Sequence, residues 1–517
     1  MKKRNKTIMA SIFILLSNLA LFAYGLKLGT VNKNFIHEKK NKIINFKQIT
    51  KNSIKKIFFK IDKIKIDFTK KQNIILEKTK TNYIKDRLLF KDSVMWHKPT
   101  IKIINKKIKG KVKLKGLFLD KHERVDKKFS YSVKIKGNKY KKLSSFYLHF
   151  PEKRHKLFEW YGDKMLCYFN LLNHINEFAE LEINSINQGV YLIEEHTNQN
   201  FLLRNARPKG PILSFSKKEM RFDRLTEEER AHPKQWNEYF YNLEILTKSP
   251  NKHNERAKQL LNGYIRGDLN PEEVFNFEKT ATLFAMSEIV GFIHHLQYHN
   301  IKFYYNPNED KLEPIANDFE FDQLSNRTNE LMVLDKMKKN NPYVILEWSQ
   351  NLLKNKNFVS LVLRKLKTIS SKNFVDSFFN FIKKEESNAW LMISKFDPLY
   401  VPDLKFILEK NIKHINYILF KKPDLALWLK QEDVKSLKYR LKSYVPISPI
   451  SIKSGKKEVF KFNKKALLNA KTFLNHPKTH SVDLGQLKEN NRNDQLTMYY
   501  KIISDTILRK KKIEIIY

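Results

Sequence analysis

The sequence predicts an α+β protein in which a β-rich segment precedes a largely helical one. Three observations predict it: period-two alternation between Lys111 and Phe150, a cap-and-proline helix start at Asn270-Pro271, and helical periodicity from about residue 340 to Lys430. At 517 residues the chain is long for one domain, and two or three compact units are the natural expectation. Its apolar and aromatic content is enough for a large core, which excludes global disorder.

Regular structure is expected to begin near Thr100. Lys111-Val-Lys-Leu-Lys115 alternates and ends at Gly116; Ser130 to Lys136 alternates and ends at Gly137-Asn138, a hairpin-type turn. Ser144 to Phe150 places Phe146, Leu148 and Phe150 on one face, so these segments read as antiparallel strands with one solvated side. Glu159 to Glu180 reads helical. Ala179 to Ile183 and Gly189 to Ile193 read as strands about a turn at Asn187-Gln-Gly189. A charged loop spans Lys217 to Gln235, and the helix opened by Pro271 continues through Phe284, Met286, Ile289 and Phe292. Lys302 to Tyr305 and Leu312 to Ile315 return to strand around Asn306-Pro-Asn. The tail after Pro446 has no clear period.

A formal net charge of +45 suits an anionic polymer, a membrane surface or nucleic acid. The lysines are scattered, however, and asparagine and isoleucine are in excess with them, so compositional drift explains the charge better. Nucleic acid ranks last as a partner, because no recognition motif accompanies the charge. The single cysteine, Cys167, excludes an internal disulfide.

Lys2, Lys3, Arg4 and Lys6 precede an uncharged, largely apolar run from Thr7 to Leu26. Twenty residues at ~1.5 Å each just cross a bilayer core of ~30 Å. Ala-Leu-Phe-Ala-Tyr-Gly at its end offers no clean cleavage site, so an uncleaved signal anchor with the bulk of the chain outside is expected. The lysine-rich stretch from Lys39 to Lys71 reads as a juxtamembrane segment lying on anionic lipid or as a solvated spacer.

Three constellations could carry chemistry. Glu195 closes a strand and could hold a lysine or a metal, or form the polar edge of a sheet. His295 and His299 have the spacing of a zinc protease pair, but Leu296 stands where that chemistry needs its glutamate, so a satisfied pair at a helix end is the better reading. Asp318, Glu320 and Asp322 alternate with Phe319 and Phe321. On a strand they would share a face, a costly arrangement that favours a cation, with Asn300 completing the set.

The order Val112-Lys-Leu-Lys-Gly116, Lys128-Phe-Ser130, Phe150-Pro-Glu-Lys-Arg154, Gly189-Val-Tyr-Leu-Ile-Glu-Glu-His196, His299-Asn-Ile-Lys-Phe-Tyr-Tyr305, Leu312-Glu-Pro-Ile315 and Asp318 resembles the CotH kinase family. The resemblance implies an atypical protein-kinase-like, two-lobed fold: an N-terminal membrane anchor (1–26), a basic spacer (27–98), a core (99–335) and a mostly helical extension (336–517). Within the core it implies a β-rich lobe (99–205) and a helical lobe carrying the metal site (206–335). It implies ATP-dependent phosphorylation of serine or threonine on a protein acceptor, with Mg²⁺ at Asp318, Asn300 and Asp322. Glu195 matches the glutamate of the first lobe, and Lys128, with Lys115 as rival, the phosphate-contacting lysine. His295 stands where the family has its catalytic aspartate, and Phe292 replaces an asparagine beside Gly291. A histidine with an ordinary pKa near 6.5 could take the hydroxyl proton. The other reading is an inactive kinase-shaped scaffold or binding protein for an envelope polymer or surface protein.

Overall fold

The computed structural model describes residues 60–420, apart from 88, 90–93, 117–118, 120, 137–139, 216–242, 299, 324–346 and 372, and short strands between 428 and 512. The chain divides into two compact units. The smaller is 1–59 with 397–401, of which 397–401 are described, and the larger carries every element below. The expected anchor Thr7–Leu26, the turn Gly137-Asn138 and the charged loop Lys217–Gln235 lie outside the described residues. Among those described, no helix is long and apolar enough to cross a membrane.

The first lobe is an eight-stranded sheet in the order β3-β2-β1-β7-β8-β6-β5-β4. Its strands are β1 (Lys63–Asp67), β2 (Thr100–Ile103), β3 (Lys106–Ile108), β4 (Gly110–Lys115), β5 (Ser130–Ile135), β6 (Ser145–His149), β7 (Asn176–Ile183) and β8 (Ile186–Glu195). Every pair is antiparallel except β1 with β7. β1 comes from the stretch expected to be a basic spacer. Its sequence Lys-Ile-Lys-Ile-Asp buries Ile64 and Ile66, while Lys63 and Lys65 turn out to pair with Glu182 of β7 at 2.8 and 3.0 Å. Helix α1 (Lys70–Asp86) follows, opened by a capping box between Thr69 and Gln72. Ile64, Ile66, Val112, Val133, Phe146, Leu148 and Ile193 form one buried core with Leu76 and Tyr83 of α1.

The expected strands at 111–115, 130–136 and 144–150 appear as β4, β5 and β6. The expected helix over 159–180 is shorter: α3 (Phe158–Tyr168) gives way to β7, after the brief α2 (Lys121–Val125) earlier in the chain. The β7–β8 turn sits at Asn184-Ser185, both at positive φ, instead of at 187–189. Two left-handed residues match the right-handed twist of the strands, and the Asn184 side chain accepts a bond from Phe68 N at 2.8 Å.

After α4 (Gln199–Arg204), a four-stranded sheet β10-β9-β11-β12 is built from β9 (Ile212–Phe215), β10 (Leu243–Ile245), β11 (Lys302–Asn306) and β12 (Lys311–Ile315). The helices α5 (Asn251–Arg266), α6 (Pro271–Val274) and α7 (Phe277–Val290) precede β11. The helix expected to run on from Pro271 breaks at Phe275, because Asn276 caps a second start by accepting Lys279 N at 3.0 Å. α7 is buried on nearly every side, packed by α9 (Lys356–Ile369) and α11 (Leu404–Phe420), with α8 (Glu347–Lys354) and α10 (Phe374–Phe396) completing the helical region. The expected helical run to Lys430 ends at Phe420; Trp428–Asp433 is β13. The tail adds β14 (Ser436–Arg440), β15 (Ile447–Ser454), β16 (Lys457–Lys461), β17 (His480–Asp483), β18 (Leu496–Ile502) and β19 (Arg509–Lys512), which form two small sheets, β13-β14-β17 and β16-β15-β18-β19.

Candidate active site

α7 ends at Gly291, whose φ of +73° closes the helix with bonds from its N–H to Ser287 O and Glu288 O. A Cβ there would lie 2.2 Å from the Asp322 carbonyl oxygen, so glycine is also what lets the returning chain approach. A short 3-10 turn, His294–Leu296, follows. The two histidines of that turn therefore have opposite fates. His295 is fully buried: its Nε2 lies 2.6 Å from Ser287 Oγ and its ring stacks on Phe319 with centroids 4.4 Å apart. Burial pushes it down to about 3, so it stays neutral in the core. His294 is partly exposed, and its Nε2 lies 3.4 Å from Asp318 Oδ2.

The segment after β12 does not form the strand that would place three carboxylates on one face. Asp318 instead takes φ +71°, the left-handed region that side chains seldom adopt, at a cost of about 1–3 kcal/mol. Glu159 in the first turn of α3 holds it there. Its Oε1 accepts Asp318 N at 3.0 Å and its Oε2 accepts Phe319 N at 2.7 Å. One turn on, Gly162 leaves room for the Phe319 ring, which a Cβ would meet at 2.2 Å. Glu320 goes to His155 at 3.3 Å, and Asp322 accepts Gln323 N. Each carboxylate thus has its own direction.

Asp318 is the one that meets the first lobe. Arg154, at the end of the 3-10 turn Pro151–Arg154, donates Nη1 to Asp318 Oδ1, and its Nη2 lies 3.1 Å from Glu194 Oε2. Glu194 in turn lies 3.4 Å from His149 Nε2, and His149 Nδ1 is 3.1 Å from Ser130 Oγ. A continuous polar chain therefore runs Ser130–His149–Glu194–Arg154–Asp318–His294, from β5 to the turn after α7. Burial opposes ionisation of Asp318, but Arg154 and His294 outweigh it and hold its carboxyl well below the usual range. Burial likewise opposes charge on His294, yet Asp318 raises it. Burial, joined by the Arg154, Lys115 and Lys153 charges, holds His149 well below the imidazole range.

Two lysines complete the charge pattern. Lys302 at the start of β11 donates to Asn317 Oδ1 at 2.7 Å and to Asn300 O at 3.3 Å. Burial, with help from Lys115 and Arg154 and against Glu194 and Asp318, pushes it down to about 8. Lys115 ends β4 with its Nζ 4.3 Å from the Tyr147 ring centroid, on the side of the sheet that carries His149. Asn300 uses its side-chain nitrogen on His294 O at 3.0 Å, which leaves the amide oxygen as the acceptor on offer.

Lys302 is what links Asp318, Asn300 and Lys115, bonding the Asn300 carbonyl and sensing the charges of the other two, whereas Lys128, Glu195 and Asp322 bond elsewhere and His295 is buried behind Phe319. Lys128 donates to Gln188 O at 2.7 Å, near the far end of β8 and about 20 Å of strand from Glu194. Glu195 faces away: its Oε2 accepts Arg204 Nε at 2.9 Å and Ile175 N at 3.0 Å. His299 lies outside the described residues. Arg154, Glu159, Glu194, His294 and Lys302 were not singled out by the sequence reading. Their signal was adjacency, since four of them sit inside the quoted family stretches or beside a chosen residue.

Residues 164–384 match the family model described as CotH kinase protein. The resemblance read from the sequence is borne out over that stretch. No curated protein matches the chain. The CotH-like stretch contains Glu194, His294, Asn300, Lys302 and Asp318, while Lys115, His149, Arg154 and Glu159 precede it.

The donor set can be tested against a metal nucleotide. Among the described residues no three His, Cys, Asp or Glu side chains gather as a ready metal site. The acceptors about Asp318 are hard carboxylate and amide oxygens, the type Mg²⁺ takes when phosphate oxygens supply the rest. Among the described residues, buried Arg154 also keeps its Nε without a hydrogen-bond partner, an unsatisfied donor next to Asp318. The residues of the CotH-like site fit a triphosphate with its cation.

Proposed function

We propose that the chain is a CotH-like phosphotransferase that uses ATP with Mg²⁺ to phosphorylate a hydroxyl of a protein acceptor at the cell envelope. One observation carries the reading: an ionised Asp318, fixed in a left-handed conformation by Glu159, is paired with Arg154 and acts on buried Lys302, which Lys115 also reaches by its charge. Mg-ATP, when bound, supplies the transferable phosphoryl group and the divalent charge. Phosphoryl transfer asks a protein mainly to position phosphates and neutralise charge, and these side chains are suited to that. Lys302 and Lys115 would face phosphate oxygens. Asp318 and the Asn300 oxygen would hold the cation. Arg154 fixes the distance between Asp318 and Glu194. His294 is the imidazole placed to receive a hydroxyl proton, with His295 behind it supporting Phe319. The basic N-terminus and the apolar run Thr7–Leu26 support anchoring in a membrane with the body outside.

A second reading, a silent envelope-binding protein of the same fold, is favoured by one contact pattern. Both Asp318 oxygens are already engaged, by Arg154 and by His294.

Thermal unfolding of the full chain with and without Mg-ATP separates the two. A ligand at 100 times its Kd stabilises by ~2.7 kcal/mol. The phosphotransferase reading expects a metal-dependent shift of that order in the wild type and none in Asp318→Ala. No shift in the wild type over a wide ATP range overturns it.

A further inference from the structure

Outside the site, the most unusual charge arrangement is on β4. Lys111, Lys113 and Lys115 occupy alternate positions and so share one face, while Val112 and Leu114 point into the core. Lys111 pairs directly with Lys134 of β5, a like-charge cross-strand pair that destabilises the sheet. Beside β4, His97 bridges Val112 through two backbone bonds of 2.8 and 2.9 Å, which sets Trp96 against the same lysines. The ammonium groups of Lys111, Lys113 and Lys134 lie 4.9, 5.1 and 5.2 Å from the Trp96 ring centroid. One ring attracts a cation by a fraction of what an anion would, and three share it. Among the described residues neither Lys111 nor Lys134 has a carboxylate within ion-pair distance. The row ends at Lys115, whose charge acts on both His149 and Lys302 of the site.

We infer that Lys111, Lys113 and Lys134, gathered on Trp96, form a docking track for an extended acidic segment of the acceptor polypeptide, leading along β4 to Lys115 and the site. The spacing selects the occupant. Alternate strand residues stand about 6.6 Å apart, and so do alternate side chains of any extended peptide, so acids at every second position meet Lys111 and Lys113 in turn, with Lys134 adding a second cation opposite Lys111. The role as an acceptor track rests on the phosphotransferase reading; the binding itself does not.

The test is fluorescence anisotropy of two labelled peptides of equal composition on the full chain, one alternating Glu and Thr, the other with its Glu residues in one block. The alternating peptide is expected to bind more tightly. The triple variant Lys111→Gln, Lys113→Gln, Lys134→Gln is expected to weaken it about tenfold, as three exposed pairs would. A control variant, Lys367→Gln, Lys383→Gln, Lys384→Gln, removes the same charge from helices and should change binding less than about twofold. No variant should unfold earlier than the wild type, since these side chains are outside the core and removing the Lys111–Lys134 repulsion can only help the sheet. Equal losses in the two triple variants, or equal affinity for the two peptides, overturn the track. Inorganic polyphosphate bound through the same lysines, with neither peptide bound, assigns the row to a phosphate polymer and also overturns it. Asp318→Ala should bind the alternating peptide as the wild type does. Tight binding of the alternating peptide by a wild type that shows no Mg-ATP shift would sink the phosphotransferase reading and leave the track standing.

Discussion

Two acidic residues five positions apart, Glu313 and Asp318, are both paired with an arginine, yet they serve different ends. Glu313 lies on regular strand β12 and its side chain is 1 % exposed. It receives Arg207 Nε at 2.9 Å, Lys279 Nζ at 2.8 Å and Asn306 Nδ2 at 3.1 Å. Asp318 lies on left-handed backbone, its side chain is 25 % exposed, and its partners are Arg154 and His294. The first is a closed cluster whose bonds hold β12 to α7, to the end of β11 and to the segment after α4. The second is held by strain and reaches solvent. A buried acid with a surplus of donors is structure, whereas a strained, solvent-reaching acid with two exchangeable partners is a site.

The largest expected effect comes from opening the closed cluster. Arg207→Ala leaves Glu313 buried with a donor deficit and should cost about 3 kcal/mol in denaturant unfolding. Asp318→Asn should cost about 1 kcal/mol or less, because Arg154 keeps Glu194. Equal losses would erase the distinction. Glu159→Gln is next. Its amide nitrogen cannot accept the N–H now bonded to Oε2, so about 1–3 kcal/mol should be lost together with the Mg-ATP shift. If the variant unfolds earlier yet keeps the full shift, the left-handed backbone of Asp318 is not what makes the site.

The smallest effect sharpens the electrostatics. Lys302 titrates at about 8 in the folded chain, below the ~10.4 of an ordinary lysine. Between those two values the unfolded chain binds more protons, so this residue makes stability rise with pH across that window. Below about 8 it is charged in both states and contributes no slope. Lys302→Met should flatten the rise by less than about one proton's worth, measured as unfolding free energy against pH. An unchanged slope would place Lys302 in water.

The outline of the fold was legible. β4, β5 and β6 announced themselves through alternation, and β11 and β12 through the turn between them. Asp318 and Asn300 were singled out for the oxygens they carry, and around them the sequence reading and the contacts differ by one position. Glu195 was chosen where Glu194 faces Arg154, because successive residues of β8 point to opposite sides and only the β6 pairing says which side carries the polar chain. His295 was chosen where His294 meets Asp318, because a helix ending at Gly291 and a 3-10 turn after it rotate the two rings apart. Lys128 was preferred to Lys115, and Lys302 was not weighed, because a lysine's place in sequence says nothing of which strand end it occupies.

By itself the sequence determined periodicity, caps and the family resemblance, since these depend on residues near one another along the chain. Only the tertiary structure decided that Glu159 would clasp the backbone of Asp318, that Arg154 would join Asp318 to Glu194, and that β1 would enter the middle of the sheet. Those contacts close loops of more than a hundred residues, and the left-handed conformation they stabilise is one that Asp318 would seldom hold alone.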